Sequence, residues 1–186
     1  MGGSWSLFSS NEVEEEKSIK VVVAGRLGAG KSHFLEKLEG SGVPPRPTQF
    51  VQRFNRLFYG VRFYFVEIGE VHRRRQDLHN TFVKNQDCGF FFLDPGCTAD
   101  ELMESKQQFL LFTLDLPRNA PVCIVFSVRP PEEIGENYEF PAVERVFQLH
   151  IVARTHPIIM VLIAYDSMRP LEYMLEWTLK KSNVLE

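Results

Sequence analysis

No run of the sequence approaches the roughly 18 consecutive apolar residues that a membrane-spanning helix needs. A basic segment followed by an apolar core, the mark of a secretory leader, is also lacking, so export is not expected. Cysteine is scarce. Cys88, Cys97 and Cys123 are odd in number and spaced for neither a zinc site nor a disulfide framework, so reduced, buried thiols of a cytoplasmic protein are expected. A marked excess of charge of one sign is lacking too: the net charge of −3 gives no general surface for nucleic acid or anionic lipid. Internal repeats and low-complexity stretches do not occur.

What is there is ordinary globular material. The 186 residues are 44% hydrophobic and 24% charged, enough for one α/β domain with a substantial core. Ile19 to Ala24 is a β-branched run with the pattern of a buried central strand. A glycine-rich turn follows, then a helix over Ser32 to Leu38 with Phe34, Leu35 and Leu38 at helical spacing. Residues 40 to 48 carry Gly and Pro and read as loop. Phe50 to Phe58 and Val61 to Val66 alternate as two strands joined by Tyr59-Gly60.

A polar stretch from His72 to Asn85 reads as loop running into an irregular helix, and Gly89 to Leu93 as a buried strand. Thr98 to Leu114 forms a helix with Thr98 as N-cap and Leu102, Phe109, Leu110 and Leu114 as core candidates. A strand over Val122 to Ser127, an acidic loop over residues 132 to 140 and a helix from Pro141 to Ala153 come next. Ile158 to Ala164 is the last strand. Leu171 to Lys181 is the last helix, its terminal lysines suited to the helix dipole. This order, with one hairpin among crossovers, predicts a mostly parallel six-stranded sheet with helices on both faces.

Gly25-Arg26-Leu27-Gly28-Ala29-Gly30-Lys31-Ser32 matches the phosphate-loop pattern G-x-x-x-x-G-K-[ST] in full. Glycines let successive amides point inward at phosphate oxygens, with Gly25, Gly28, Ala29, Gly30, Lys31 and Ser32 as the phosphate-binding set. Lys31 adds a charge toward the β and γ phosphates, and the Ser32 hydroxyl is placed to ligate Mg²⁺. A glycine-rich turn alone proves little; an apolar strand before it and an amphipathic helix after it are the confirming context.

From these residues outward the chain resembles the Arf and Arf-like branch of the Ras superfamily, through nearly its whole length. Pro47-Thr48 stands where that family has its switch I Pro-Thr. Val66-Glu67-Ile68-Gly69-Glu70-Val71 stands in place of Trp-Asp-Val-Gly-Gly-Gln, and the run from Leu171 to Trp177 is similar to the closing Arf helix. The resemblance implies the small-GTPase (Ras-like) form of the P-loop NTPase fold over residues 18–186, preceded by an N-terminal segment at 1–17. It also implies GTP or another nucleoside triphosphate with Mg²⁺ as cofactors. Thr48 and Glu67 would join Ser32 around the metal, and Gly69 would meet the γ-phosphate. Effectors and regulators would bind through switch I, the hairpin from Phe50 to Val66 and switch II, and no nucleic acid is implied.

Met1-Gly2-Gly3-Ser4-Trp5-Ser6 fits the N-myristoylation pattern with Gly2 as acceptor, with a Gly-Gly-Ser leader of no biological meaning as the competing reading. One acyl chain anchors only marginally, so Trp5, Leu7 and Phe8 would have to supply the second signal for a peripheral-membrane location. The acidic residues Glu12, Glu14, Glu15 and Glu16 repel anionic lipid, and the segment reads equally as a disordered acidic lead-in.

Departures from the family limit its chemistry. Val71 stands where the water-orienting glutamine belongs, so no catalytic residue is assigned and unaided hydrolysis should be very slow. The guanine-reading Asn-Lys-x-Asp is replaced by Val128-Arg129-Pro130-Pro131, and Arg129 offers at most a stacking contact to a base. The missing aspartate removes two charged hydrogen bonds of about 1.5–3 kcal/mol each, and most of the selectivity with them. His72-Arg73-Arg74-Arg75 reads first as a solvated face. His33, His79, His150 and His156 have no ligand spacing and receive no role.

Three functions fit: a slow GTP-binding switch in vesicle or ciliary traffic, a pseudo-GTPase interaction module, and a P-loop phosphotransferase with the arginines as a lid. The last leaves the Arf-like hairpin unexplained.

Overall fold

Strand β1 (Ser18–Gly25) is buried on both faces from Val21 onward, as its unbroken β-branched run requires. Ile19, Val21 and Val23 face one hydrophobic layer, while Val22 and Ala24 face the other. The computed structural model describes residues 17–40, 48, 51–69, 81–128, 140–164 and 167–184.

Around β1 lies a six-stranded sheet in the order β2-β3-β1-β4-β5-β6, with β2 (Val51–Phe58), β3 (Val61–Ile68), β4 (Cys88–Leu93), β5 (Val122–Val128) and β6 (Ile158–Ala164). Every neighbouring pair is parallel except the β2–β3 hairpin. That hairpin turns on Tyr59 and Gly60, both at positive φ, as two-residue connections between twisted strands favour. Strand β3 runs two residues beyond its expected end at Val66, which brings Glu67 into the sheet opposite Val23.

Helices cover both faces. Phe34, Leu35 and Leu38 of α1 (Lys31–Glu39) share one layer with Leu171, Met174, Leu175 and Leu179 of α5 (Arg169–Lys181). Phe34 is the hub of that layer, meeting Phe65, Phe90 and Phe92 at ring-centroid distances of 6.2, 6.0 and 5.1 Å. The other face is covered by α2 (Ala99–Asp115), α3 (Phe140–Val146) and α4 (Leu149–Val152). Gly89 permits α2 to lie close, since a Cβ there would come within 2.5 Å of the Phe112 ring.

Three expectations need correction. Leu114 is 80% exposed. Phe109, Phe112 and Leu116 form the inward stripe of α2 instead, and Leu114 lies roughly 200° around the helix from Phe112. The single helix expected over Pro141 to Ala153 is two, α3 and α4, parted where Gln148 adopts φ 53°. Helical geometry at Gln148 would carry the chain straight on. The left-handed residue instead turns it so that Phe147 packs on Phe109 at 5.3 Å while Leu149 stays buried. Of the three thiols Cys88 and Cys123 are free and buried, but Cys97 is partly exposed. His156 proves structural: its ring nitrogens lie 3.0 Å from the Ala120 carbonyl oxygen and 3.1 Å from that of Thr113.

Candidate functional site

The phosphate loop leaves the sheet beside the point where β1 separates β3 from β4, the place where open parallel sheets bind ligands. Gly25 begins it with φ 128°, and a Cβ there would stand 2.3 Å from the Phe92 carbonyl oxygen of the neighbouring strand. Only glycine fits both the conformation and the gap. Gly28 and Gly30 also take positive φ, at 83° and 89°, and curl the loop back before α1 starts. Gly30 is the N-cap of α1 and offers no side-chain acceptor. The first amides of the helix, with its positive dipole end, are thereby left for an external anion.

Lys31 is 7% exposed and folds back across the loop, donating to the Gly25 carbonyl at 2.8 Å and the Arg26 carbonyl at 2.7 Å. These bonds hold a buried ammonium against the inside of the loop. A buried cation so placed raises the local affinity for anionic oxygens.

The three residues expected around a metal come together. Ser32 Oγ donates to Glu67 Oε1 at 2.8 Å, and Thr48 Oγ1 donates to Glu67 Oε2 at 2.9 Å. The two hydroxyl oxygens are 3.4 Å apart. Glu67 itself is 1% exposed, at the end of β3. Two hydroxyls and one carboxylate form the hard-oxygen donor set that Mg²⁺ prefers. Adjacent ligands of an octahedral ion at 2.0–2.1 Å stand about 2.9 Å from each other; the two hydrogen-bonded separations are of that size, and the hydroxyl pair is wider. The Glu67 carboxylate touches both hydroxyls directly. Gly69 follows β3 and is buried.

Other expected residues are not brought into this account. Gly2, Val71, Arg73, Arg74, Arg75 and Arg129 lie outside the described residues, and β5 is described only as far as Val128.

Sequence reasoning missed several contacts. Gln52 Oε1 lies 3.1 Å from Thr48 Oγ1, whose one proton goes to Glu67. Lys37 ties α1 to the end of β6, donating to the Ala164 and Ser167 carbonyls at 3.0 and 2.8 Å. Arg26, a variable position of the phosphate-loop pattern, meets Glu101 at 2.9 Å and Glu104 at 3.4 Å on α2. The bond from Arg26 is the main reason the Glu101 carboxyl is lowered to about 2, helped by its bonds from Thr98. Thr98 was expected as N-cap; its capping box with Glu101, and the link of Glu101 to Arg26, come from the structure.

No family model matches the sequence, and no curated protein is similar to it by sequence. In three dimensions the chain is similar to the small GTPase Arl6 (BBS3) of Trypanosoma brucei, solved with the bound nucleotide analogue GppNp. The TM-score is 0.70, at 16% identity, covering 90% of this chain and 98% of that one. Sheet order, crossovers and this likeness agree: the chain has the P-loop small-GTPase fold.

Proposed function

We propose that this protein is a divergent Arf-like small GTP-binding protein, a switch that holds a nucleoside triphosphate with Mg²⁺ and turns it over slowly. The observation that carries the reading is the convergence of Ser32, Thr48 and Glu67 beside Lys31 at the start of α1. The loop amides and Lys31 would bind the phosphates, and Ser32, Thr48 and Glu67 would hold the metal. Bound there, Mg²⁺ would neutralise charge on the phosphate oxygens. Thr48 would report the presence of the γ-phosphate to switch I, and Gly69 would offer its amide to that phosphate. Val71 supplies no group to orient water, so the triphosphate state would persist until a partner intervenes. A myristoyl group on Gly2 would place the switch at a membrane, where traffic of vesicles or cilia is the work the resemblance suggests.

A second reading, a pseudo-GTPase that binds nucleotide weakly or not at all, is favoured by one specific observation. The Glu67 carboxylate bonds both hydroxyls directly, an arrangement that keeps Thr48 in place through protein contacts alone. Mass analysis of the nucleotide released from protein purified from cells separates the readings. A stoichiometric nucleoside triphosphate is expected, GTP or a mixture with ATP; an empty site would favour the interaction module, and ATP alone the phosphotransferase. Membrane partitioning of Gly2→Ala against the wild type tests the lipid, and equal partitioning would remove it.

A further inference from the structure

The phosphate loop is anchored at its second residue. Arg26 presents Nη2 to Glu101 Oε1 at 2.9 Å and Nε to Glu104 Oε2 at 3.4 Å, with its own side chain 21% exposed. Both carboxylates are themselves held. Glu101 accepts from the Thr98 amide at 2.8 Å and the Thr98 hydroxyl at 3.1 Å, closing the capping box of α2. Glu104 accepts from Gln108 Nε2 at 3.1 Å, one helical turn on. The guanidinium is therefore forked onto two carboxylates fixed on a rigid helix.

A loop that turns on Gly25, Gly28 and Gly30 has more freedom to lose than most. Gly25 is fixed by the sheet and Lys31 by α1. Between them Arg26 makes the described side-chain ion pair to another element.

We infer that Arg26, Glu101 and Glu104 form a strut that fixes the phosphate loop in its anion-binding shape, Arg26 acting as a positioning residue and not as a phosphate ligand. The inference rests on the nucleotide-binding reading for its consequence, but not for its geometry. With its charge balanced by two carboxylates, Arg26 adds little attraction for an anion; what it adds is order.

Neutralising the acids separates order from charge, because the two predict opposite signs. If charge alone mattered, Glu104→Gln would remove repulsion near a polyanion, free Arg26 and tighten binding. The strut predicts the reverse. Release of a fluorescent GTP analogue from the full chain with Mg²⁺ should quicken about two- to threefold in Glu104→Gln and about fivefold in Arg26→Ala. Glu101→Gln keeps the capping box, since glutamine serves at that position, and should resemble Glu104→Gln. Adding Glu104→Gln to Arg26→Ala should have no further effect, because the partner is already gone.

Hydrogen exchange of amides 26–30 in the nucleotide-free chain gives the second readout. It should rise by the same factors in these variants and stay unchanged in Lys180→Ala, which breaks the ion pair to Glu176 on α5. Tighter binding by Glu104→Gln, or loop exchange unchanged in Arg26→Ala, overturns the strut. A wild type that binds no nucleotide overturns the nucleotide-binding reading instead, and the exchange result still decides the strut.

Discussion

The two ends of the candidate site are built from different materials. At the phosphate end, Lys31 bonds two carbonyls of a glycine-turned loop, and Ser32 and Thr48 bond the Glu67 carboxylate. At the base end, the chain offers Val128 closing β5 and a loop after β6 tied back by Lys37. Phosphate binding depends on backbone shape and a few charges, and the fold itself supplies most of that. Naming a base depends on side chains aimed at its edge, which the fold by itself does not dictate. A chain can therefore keep a grip on triphosphate while losing the means to tell one base from another.

The contrast breaks most directly at Gly25. An alanine there puts a Cβ 2.3 Å from the Phe92 carbonyl oxygen and forces a non-glycine residue to φ 128°. Clash and backbone strain together should cost about 3 kcal/mol or more in unfolding free energy. Denaturant titration checks this. A loss below about 1 kcal/mol would mean that the loop and β4 can part more easily than their packing implies.

Lys31→Ala comes next. Two bonds to loop carbonyls and the attraction for phosphate are lost together. Charge-assisted bonds of about 1.5–3 kcal/mol predict a ten- to hundredfold weaker dissociation constant for GTP, read by calorimetry. Affinity unchanged by this substitution would remove the phosphate end from the proposal.

Much of the fold was legible because its signals are local. The apolar run of β1, the phosphate-loop pattern and the Thr98 N-cap each sit within a few residues. Helix period alone did not separate Leu114 from Phe112, and nothing local marked the turn at Gln148. The site was legible only in part. Lys31 and Ser32 follow from the motif, whereas Thr48 and Glu67 were reached through family resemblance, since spacing alone does not say that they meet. Arg26 and Glu101 are 75 residues apart, and Lys37 and Ser167 are 130 apart. Pairs at such separations are made by the crossovers of the sheet.

A smaller effect sharpens the phosphate end. Arg26 holds the Glu101 carboxyl down at about 2, against an ordinary value near 4.5. A carboxyl depressed in the folded state stabilises the protein above its unfolded value and loses that contribution as pH falls through the folded one. The strut should thus be intact at pH 5 and weaken progressively toward pH 2. Glu101→Gln, which cannot titrate, should lose less thermal stability between pH 5 and pH 3 than the wild type. Identical slopes in the two proteins would mean that the pairing persists too little in solution to matter.

The smallest expected effect is at the base end, and it decides the comparison. On the proposed reading Val128-Arg129-Pro130-Pro131 stands at the place of the guanine-reading motif, and it carries no aspartate to accept the two N–H groups that distinguish guanine from adenine. Each such charged bond discriminates by about 1.5–3 kcal/mol when present. Without them, GTP and ATP should compete for the same loop with affinities within about tenfold of each other. Competition against one fluorescent analogue, at fixed Mg²⁺, reads the ratio. A preference for GTP beyond about a thousandfold would require a base-reading group elsewhere in the chain, and the two ends would then be equally intact. A ratio near one would place the specificity of this protein in its phosphate end and its protein surfaces.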